Sequence, residues 1–332
     1  MHRMLARWIS IGLVAGAVAM VAAPEREAAG NVLTAEIARL EHVLAESEKA
    51  ALPEDVKGVA GSLREPLARA KSAPAPDYQL YRLRDAYVGI ETLAFLAQNA
   101  AAGESVAAFE KLWNAHQAGR TARQPKAAGT LLQRALIDSA MTRAERLDRA
   151  SLPYAKASAP WSGVYYLGEA EANRKYAAFV RALAQGERGN VEKSPSRDRV
   201  TAALDAIERE TLAIFGADIS NQKLIAVSVR IKEARELLAA GRIDGAVLLA
   251  TEARVALLRR GGARGTHTAP RVIAPASLEA LLLSWAGDEE APMGETLRAD
   301  VVPWYRSLYA QAPAAAKTAA QVKVTLVRWP YT

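Results

Sequence analysis

The side chains best suited to chemistry sit at matching places on two helix-like segments. Tyr78 and Tyr81 precede Asp85 by about two turns or less, and Trp161, Tyr165 and Tyr166 stand just ahead of Glu169. Arg82, Arg84 and Arg174 lie close by in the chain. Aromatic faces beside carboxylates and guanidinium groups are what lines a groove for a sugar or a peptide. The candidate ligand-binding set is Tyr81, Asp85, Trp161, Tyr165, Tyr166 and Glu169. The competing expectation is that these tyrosines seal helix packing and leave only their hydroxyls at the rim.

Other reaction chemistries find little support. The chain has no cysteine, which removes disulfides, thiolate metal sites, covalently attached haem, cysteine nucleophiles and lipidation at a cysteine. Of four histidines, His2 falls in the N-terminal leader, His116 at a helix end, and His267 in a glycine-rich loop. His42 and Glu46 are four apart on one helix, a spacing read as a surface ion pair because zinc takes three or four protein ligands. The Glu-Ser pairs Glu46-Ser47 and Glu104-Ser105 occur at the acid of lytic transglycosylases, but the glycine-rich cleft signature of that family does not follow them. HExxH, GxSxG and glycine-rich phosphate motifs are missing. No catalytic set, metal or cofactor is expected, and the chain reads as non-enzymatic.

The elements that must position these residues read as helices throughout. Hydrophobic residues make up 51% of the 332, yet mean hydropathy is only -0.04 because alanine dominates. Alanine with Leu, Glu, Arg and Lys is helix-forming composition. Val32 to Ala51 carries Ile37, Leu40 and Leu44 on one stripe. Glu54 to Ala70 contains Pro66 and should divide or kink. Asp77 is placed to cap a helix over Tyr78 to Ala101, with a partner from Glu104 to His116 after a turn at Gly103. Thr130 to Ala150 should end at Leu152-Pro153, and Pro160 should open the next helix. Arg197 to Phe215 should end at Gly216. Asp218 should cap the longest run, ended by Gly241, with Ile243 to Arg260 returning. Short proline-broken helices follow.

The two tyrosine segments echo each other. Tyr81-x-Leu83-x-Asp85-Ala86 recurs as Tyr165-x-Leu167-x-Glu169-Ala170, with Ala94-Phe95-Leu96 and Ala178-Phe179-Val180 at the same offset. Repetition of a helical unit suggests an array that makes its core by stacking. Val227 to Leu258 resembles a tetratricopeptide-type hairpin through Ala234, Leu237, Gly241, Ala246 and Ala253. It departs from that pattern where Arg230 and Glu233 replace large apolar residues and Ala250 replaces an aromatic. The resemblance implies a helix hairpin used for protein contact. The expected fold is all-α, an array of antiparallel helix hairpins, bundle or solenoid, with one short C-terminal strand or ribbon.

That strand is Gln321 to Trp329, where Val322, Val324 and Leu326 alternate with Lys323 and Thr325. Its expected partner is Arg271 to Ala274. The segments are then a leader at 1–23, an N-terminal helical domain at 24–190, a hairpin segment at 191–260, a Gly/Arg-rich linker at 261–275 and a C-terminal part at 276–332.

The leader bears on location. Arg3 and Arg7 precede an uncharged run from Trp8 to Ala23 that ends in small residues before Pro24. This is the layout of a cleavable secretory signal, shorter than the roughly 18 apolar residues of a spanning helix. A periplasmic or secreted protein is expected, touching a membrane only through an uncleaved signal. The net charge is +7, but the basic residues alternate with acidic ones. Nucleic acid is therefore not expected as a partner; an envelope protein is, with an acidic polymer or glycan as the other candidate. The functional expectation is an exported helical binding or scaffold protein of the bacterial envelope. The alternative is an envelope-polymer (sugar or peptidoglycan) binding protein or hydrolase, with carboxylates assembled from several helices.

Overall fold

In the computed structural model, which describes residues 30–50, 52, 54–118, 129–186, 192–216, 222–261 and 275–310, every regular element is helical. Helix α1 occupies 30–48, and Leu33, Ile37, Leu40 and Leu44 form its buried stripe. α2 (Glu54–Ser62) and α3 (Arg64–Lys71) are separate, with Pro66 in the first turn of α3, where its missing N–H breaks no intrahelical bond. α4 (Pro76–Gln98) begins two residues earlier than expected. Ala75 holds the cap position, and Asp77 is not a cap but a first-turn acid favoured by the helix dipole.

α5 (Val106–Ala118), α6 (Leu131–Ala157) and α7 (Pro160–Gly186) follow. Thr130 opens α6 through a reciprocal capping box with Gln133. The expected stop at Leu152-Pro153 does not occur, because α6 runs on through Pro153 to Ala157. Pro153 faces solvent while Ser151 and Ala155 beside it are buried. Packing on that buried side holds the last turn against the loss of one backbone hydrogen bond. α6 and α7, each of 27 residues, are the longest described helices, a correction to the run expected to end at Gly241. They are antiparallel: the backbone of Gly163 lies against Ala155 near the connecting turn, and at the other end Gly129, just before α6, lies against Ala184 near the end of α7.

α8 (Arg197–Phe215) ends at Gly216, with φ of 67°, and α9 (Gln222–Ala239) is followed by Gly241, with φ of 74°. Both are left-handed positions that favour glycine. α10 (Ile243–Gly261), α11 (Ala276–Asp288), α12 (Ala291–Thr296), a π-helical turn (Leu297–Val301) and α13 (Val302–Ser307) complete the order.

The α6–α7 pair is central. α4 lies along α7, where Tyr87 stacks on Phe179 at 5.8 Å and meets Tyr176 edge-on at 5.4 Å. α10 lies along α6, and α8 and α9 pack on α10. α1 reaches α4 through Arg39, which bonds Glu91 at 2.7 Å. α11 bridges α4 and α6. One buried apolar cluster extends from Leu33 to Leu308, so the described parts of 24–190, 191–260 and 276–332 share it.

The leader, Arg271 to Ala274 and Gln321 to Trp329 lie outside the described residues, and so does Asp218. Among the described residues no strand occurs and no helix is long and apolar enough to cross a membrane.

Candidate functional site

Helical spacing brings one polar face from each of five helices to a common cleft of about 450 Å³. On α4 the face is Arg84, Asp85, Val88 and Thr92; on α6 it is Ser139, Thr142, Arg143 and Arg146. α7 contributes Tyr165, Glu169 and Asn173 at intervals of four, the spacing that aligns side chains on a helix. α9 adds Val229, Arg230, Glu233 and Glu236, and α10 adds Leu249 and Glu252.

Glu252 is buried at the base. It accepts a hydrogen bond from the Tyr81 hydroxyl at 3.0 Å and one from Arg84 Nη1 at 3.1 Å. Its other oxygen faces Arg230 Nε at 3.6 Å. That distance is too long for a hydrogen bond, and Arg230 Nε is a buried donor without a hydrogen-bond partner. The Arg84 guanidinium also lies over the Tyr81 ring, 5.1 Å from its centre. Burial pushes the Tyr81 phenol well above its ordinary range, and the Glu252 charge adds to that. Burial works against the charge on Arg84, but Glu252 and Asp85 outweigh it and keep its pKa raised.

The walls are ion pairs. Arg143 Nε bonds Glu169 at 2.8 Å. Arg146 meets Glu233 at 2.7 Å and Glu236 at 3.8 Å. Asp85, the most exposed acid of the cleft, pairs with Arg84 at 3.2 Å. The Arg84 guanidinium holds Asp85 below the usual carboxylate range, burial opposes this, and Arg143 and Arg230 reinforce it.

Three of the six residues singled out from sequence line this cleft: Asp85, Tyr165 and Glu169. Tyr81 lies below the base, with its hydroxyl on Glu252 and its ring edge-on to Trp285 at 5.1 Å. Tyr166 turns away and packs on Tyr154, with ring centres 4.6 Å apart. Trp161 is spent on packing, its indole lying where a side chain on Gly103 would stand. Of the expected groove, the structure brings Asp85, Tyr165 and Glu169 together; Tyr166, next to Tyr165 in the chain, points to another side of α7, while Trp161, in the same row as Tyr165, is covered by its packing on Gly103.

Arg143, Arg146, Glu236 and Glu252 were not singled out by sequence, since nothing local distinguishes them from surface charges. Arg230 and Glu233 did carry a signal. They are the charged residues standing where a tetratricopeptide-type hairpin wants large apolar ones, and here both line the cleft.

Of the histidines, His42 and His116 are described, and His2 and His267 lie outside the described residues. His42 is exposed, and Glu46 pairs instead with Lys49 at 2.7 Å. His116 lies 3.3 Å from Glu171 and 3.4 Å from Arg174. Among the described residues no group of acids and histidines could hold a metal ion. Beside the α6 wall, Asp138 faces Asp244, which bonds Arg134 at 2.7 Å. Burial, with the Asp244 charge, pushes Asp138 up to about 6, against the Gly245 amide and the charges of Arg242 and Arg134.

Comparison with protein-family models, with curated proteins and with solved structures finds no match to this chain. The class defined by fold and site is an all-α protein with an ion-paired polar cleft assembled from five helices.

Proposed function

We propose that the protein is an exported, non-enzymatic binding protein of the bacterial envelope that holds a polar ligand in this cleft. One observation carries the reading: Arg84, Arg143, Arg146 and Arg230 are each set against a carboxylate inside a concave, five-helix site. Charges that only solubilise a surface have no reason to converge on one concavity. The same pairing favours binding over hydrolysis. Glycoside hydrolysis needs a carboxyl kept protonated apart from cations, whereas each acid here lies against a guanidinium. The signal-like leader supports export to the envelope.

The test is calorimetry of the purified protein against envelope-polymer fragments, both sugars and peptides. Binding should weaken at least tenfold in Arg143→Ala while the melting temperature stays within a few degrees. Turnover of such a fragment by the pure protein would overturn the non-enzymatic reading.

A second reading, a scaffold contacting a protein through a tetratricopeptide-like hairpin array, is favoured by one feature. Leu212 on α8 and Ile225 and Val229 on α9 are each more than 40% exposed, a concentration of apolar surface suited to a partner. Crosslinking from periplasm should lose its partner in Ile225→Glu if this face is used.

A further inference from the structure

Resting on the cleft reading, we propose that the ligand is a neutral oligosaccharide chain that begins in the cleft and continues along the α6–α7 seam onto Tyr166 and Tyr154. The first support is charge. Arg84, Arg143, Arg146 and Arg230 all have carboxylate partners already, so the cleft has little net attraction for an ion of either sign. Paired guanidinium and carboxylate groups still offer spare N–H donors and oxygen lone pairs side by side. Sugar hydroxyls, which both donate and accept, match that alternation. The buried Arg230 Nε, without a hydrogen-bond partner, adds a donor that a ligand oxygen would satisfy.

The second support is the tyrosine cluster at the mouth. Tyr165 lines the cleft and is 45% exposed. Its ring meets Tyr166 edge-on at 6.1 Å, and Tyr166 in turn lies 4.6 Å from Tyr154, tilted by 31°. Tyr154 is 48% exposed although Tyr166 covers one side of it, so its opening is to the other face and the hydroxyl edge. On α6, Tyr154 stands roughly 16 Å beyond Arg143 at 1.5 Å per residue, and the antiparallel α7 carries Tyr166 in the same direction from Glu169. A monomer fits within the cleft; only a chain spans from there to Tyr154. Apolar sugar faces stack on such rings while hydroxyls meet their polar edges.

Calorimetry with the full chain would use the dimer and tetramer of N-acetylglucosamine. The tetramer should bind roughly tenfold more tightly than the dimer, a gain of about 1.4 kcal/mol. Tyr154→Ala should bring the tetramer down to the dimer's affinity, and Tyr154→Phe, which keeps the ring, should restore the wild-type value. Melting curves of both variants will show that the fold persists. Equal affinity for the two lengths, lost together in Arg143→Ala, would overturn the chain and leave the cleft reading standing. Binding of a neutral tetrapeptide but no sugar, again dependent on Arg143, would overturn the sugar and keep the cleft. Binding of neither would remove both.

Discussion

The Tyr81 hydroxyl donates to the Glu252 carboxylate across 3.0 Å, although 171 positions separate the two residues. Arg84, one turn further along α4, donates to the same oxygen from above at 3.1 Å. The pair ties α4 to α10 directly beneath the cleft, so the base of the site is also part of what holds the helices together. Removing the carboxylate leaves a largely buried guanidinium and a phenol without their acceptor. Glu252→Ala should lower the unfolding free energy by about 3 kcal/mol, with Glu252→Gln losing less. Urea denaturation will measure both; an unchanged midpoint in Glu252→Ala would show that the interaction carries no net stability.

Asp138 sets a pH dependence of opposite sign to that of an ion-paired acid. Its carboxyl is pushed up to about 6 in the fold from an ordinary 3.8, by burial and by Asp244. Below about pH 4 it is protonated in both folded and unfolded chains and costs nothing. Between about pH 4 and 6 the folded chain holds the proton more tightly, so its contribution to stability falls as pH rises, by about 3 kcal/mol in all. Asp138→Asn should therefore stabilise the protein at pH 7 and do little at pH 4. Melts at the two pH values will show whether the difference closes.

Glu192 should prove more important than its loop position implies. Its carboxylate accepts from the Leu131 amide at 2.6 Å, from the Ser277 amide at 3.0 Å and from the Ser277 hydroxyl. One acid thus serves the first turns of both α6 and α11, where amides lack intrahelical acceptors and the dipole favours an anion. Glu192→Ala should cost about 2 kcal/mol. Hydrogen exchange should show faster loss of protection at both helix starts, and exchange confined to one of them would refute the shared cap.

Pro153 offers the reverse effect. It sits within α6 and faces solvent, so replacing it removes no buried packing. Alanine restores an N–H for the Arg149 carbonyl and has the highest helix propensity. Pro153→Ala should raise the unfolding free energy by about 1 kcal/mol. A lower melting temperature would mean that proline's restriction of the unfolded chain matters more than the missing bond.

Much of the secondary structure was legible because its causes are local. The stripe Leu33, Ile37, Leu40 and Leu44 recurs at helical period and is buried. Gly216 and Gly241 adopt the left-handed φ values that end helices, and Pro66 divides α2 from α3. The tyrosine-helix echo was legible in part. Leu83 with Leu167 and Ala86 with Ala170 are buried equivalents, and the acids that follow the same spacing, Asp85 and Glu169, both reach the cleft.

Where local rules competed with packing, tertiary structure decided. α6 passes through Pro153 because its neighbours at 151 and 155 are buried, and Trp161 is drawn over Gly103 instead of into a groove. The cleft itself belongs wholly to tertiary structure. Arg84 and Glu252, or Arg146 and Glu233, are ordinary helix-surface charges in sequence, and each becomes a site residue only when another helix supplies its partner. Periodicity states which face of a helix is apolar. It does not state which polar faces will meet, because that depends on how long helices cross around α6 and α7, and crossing is set by contacts between residues far apart in the chain.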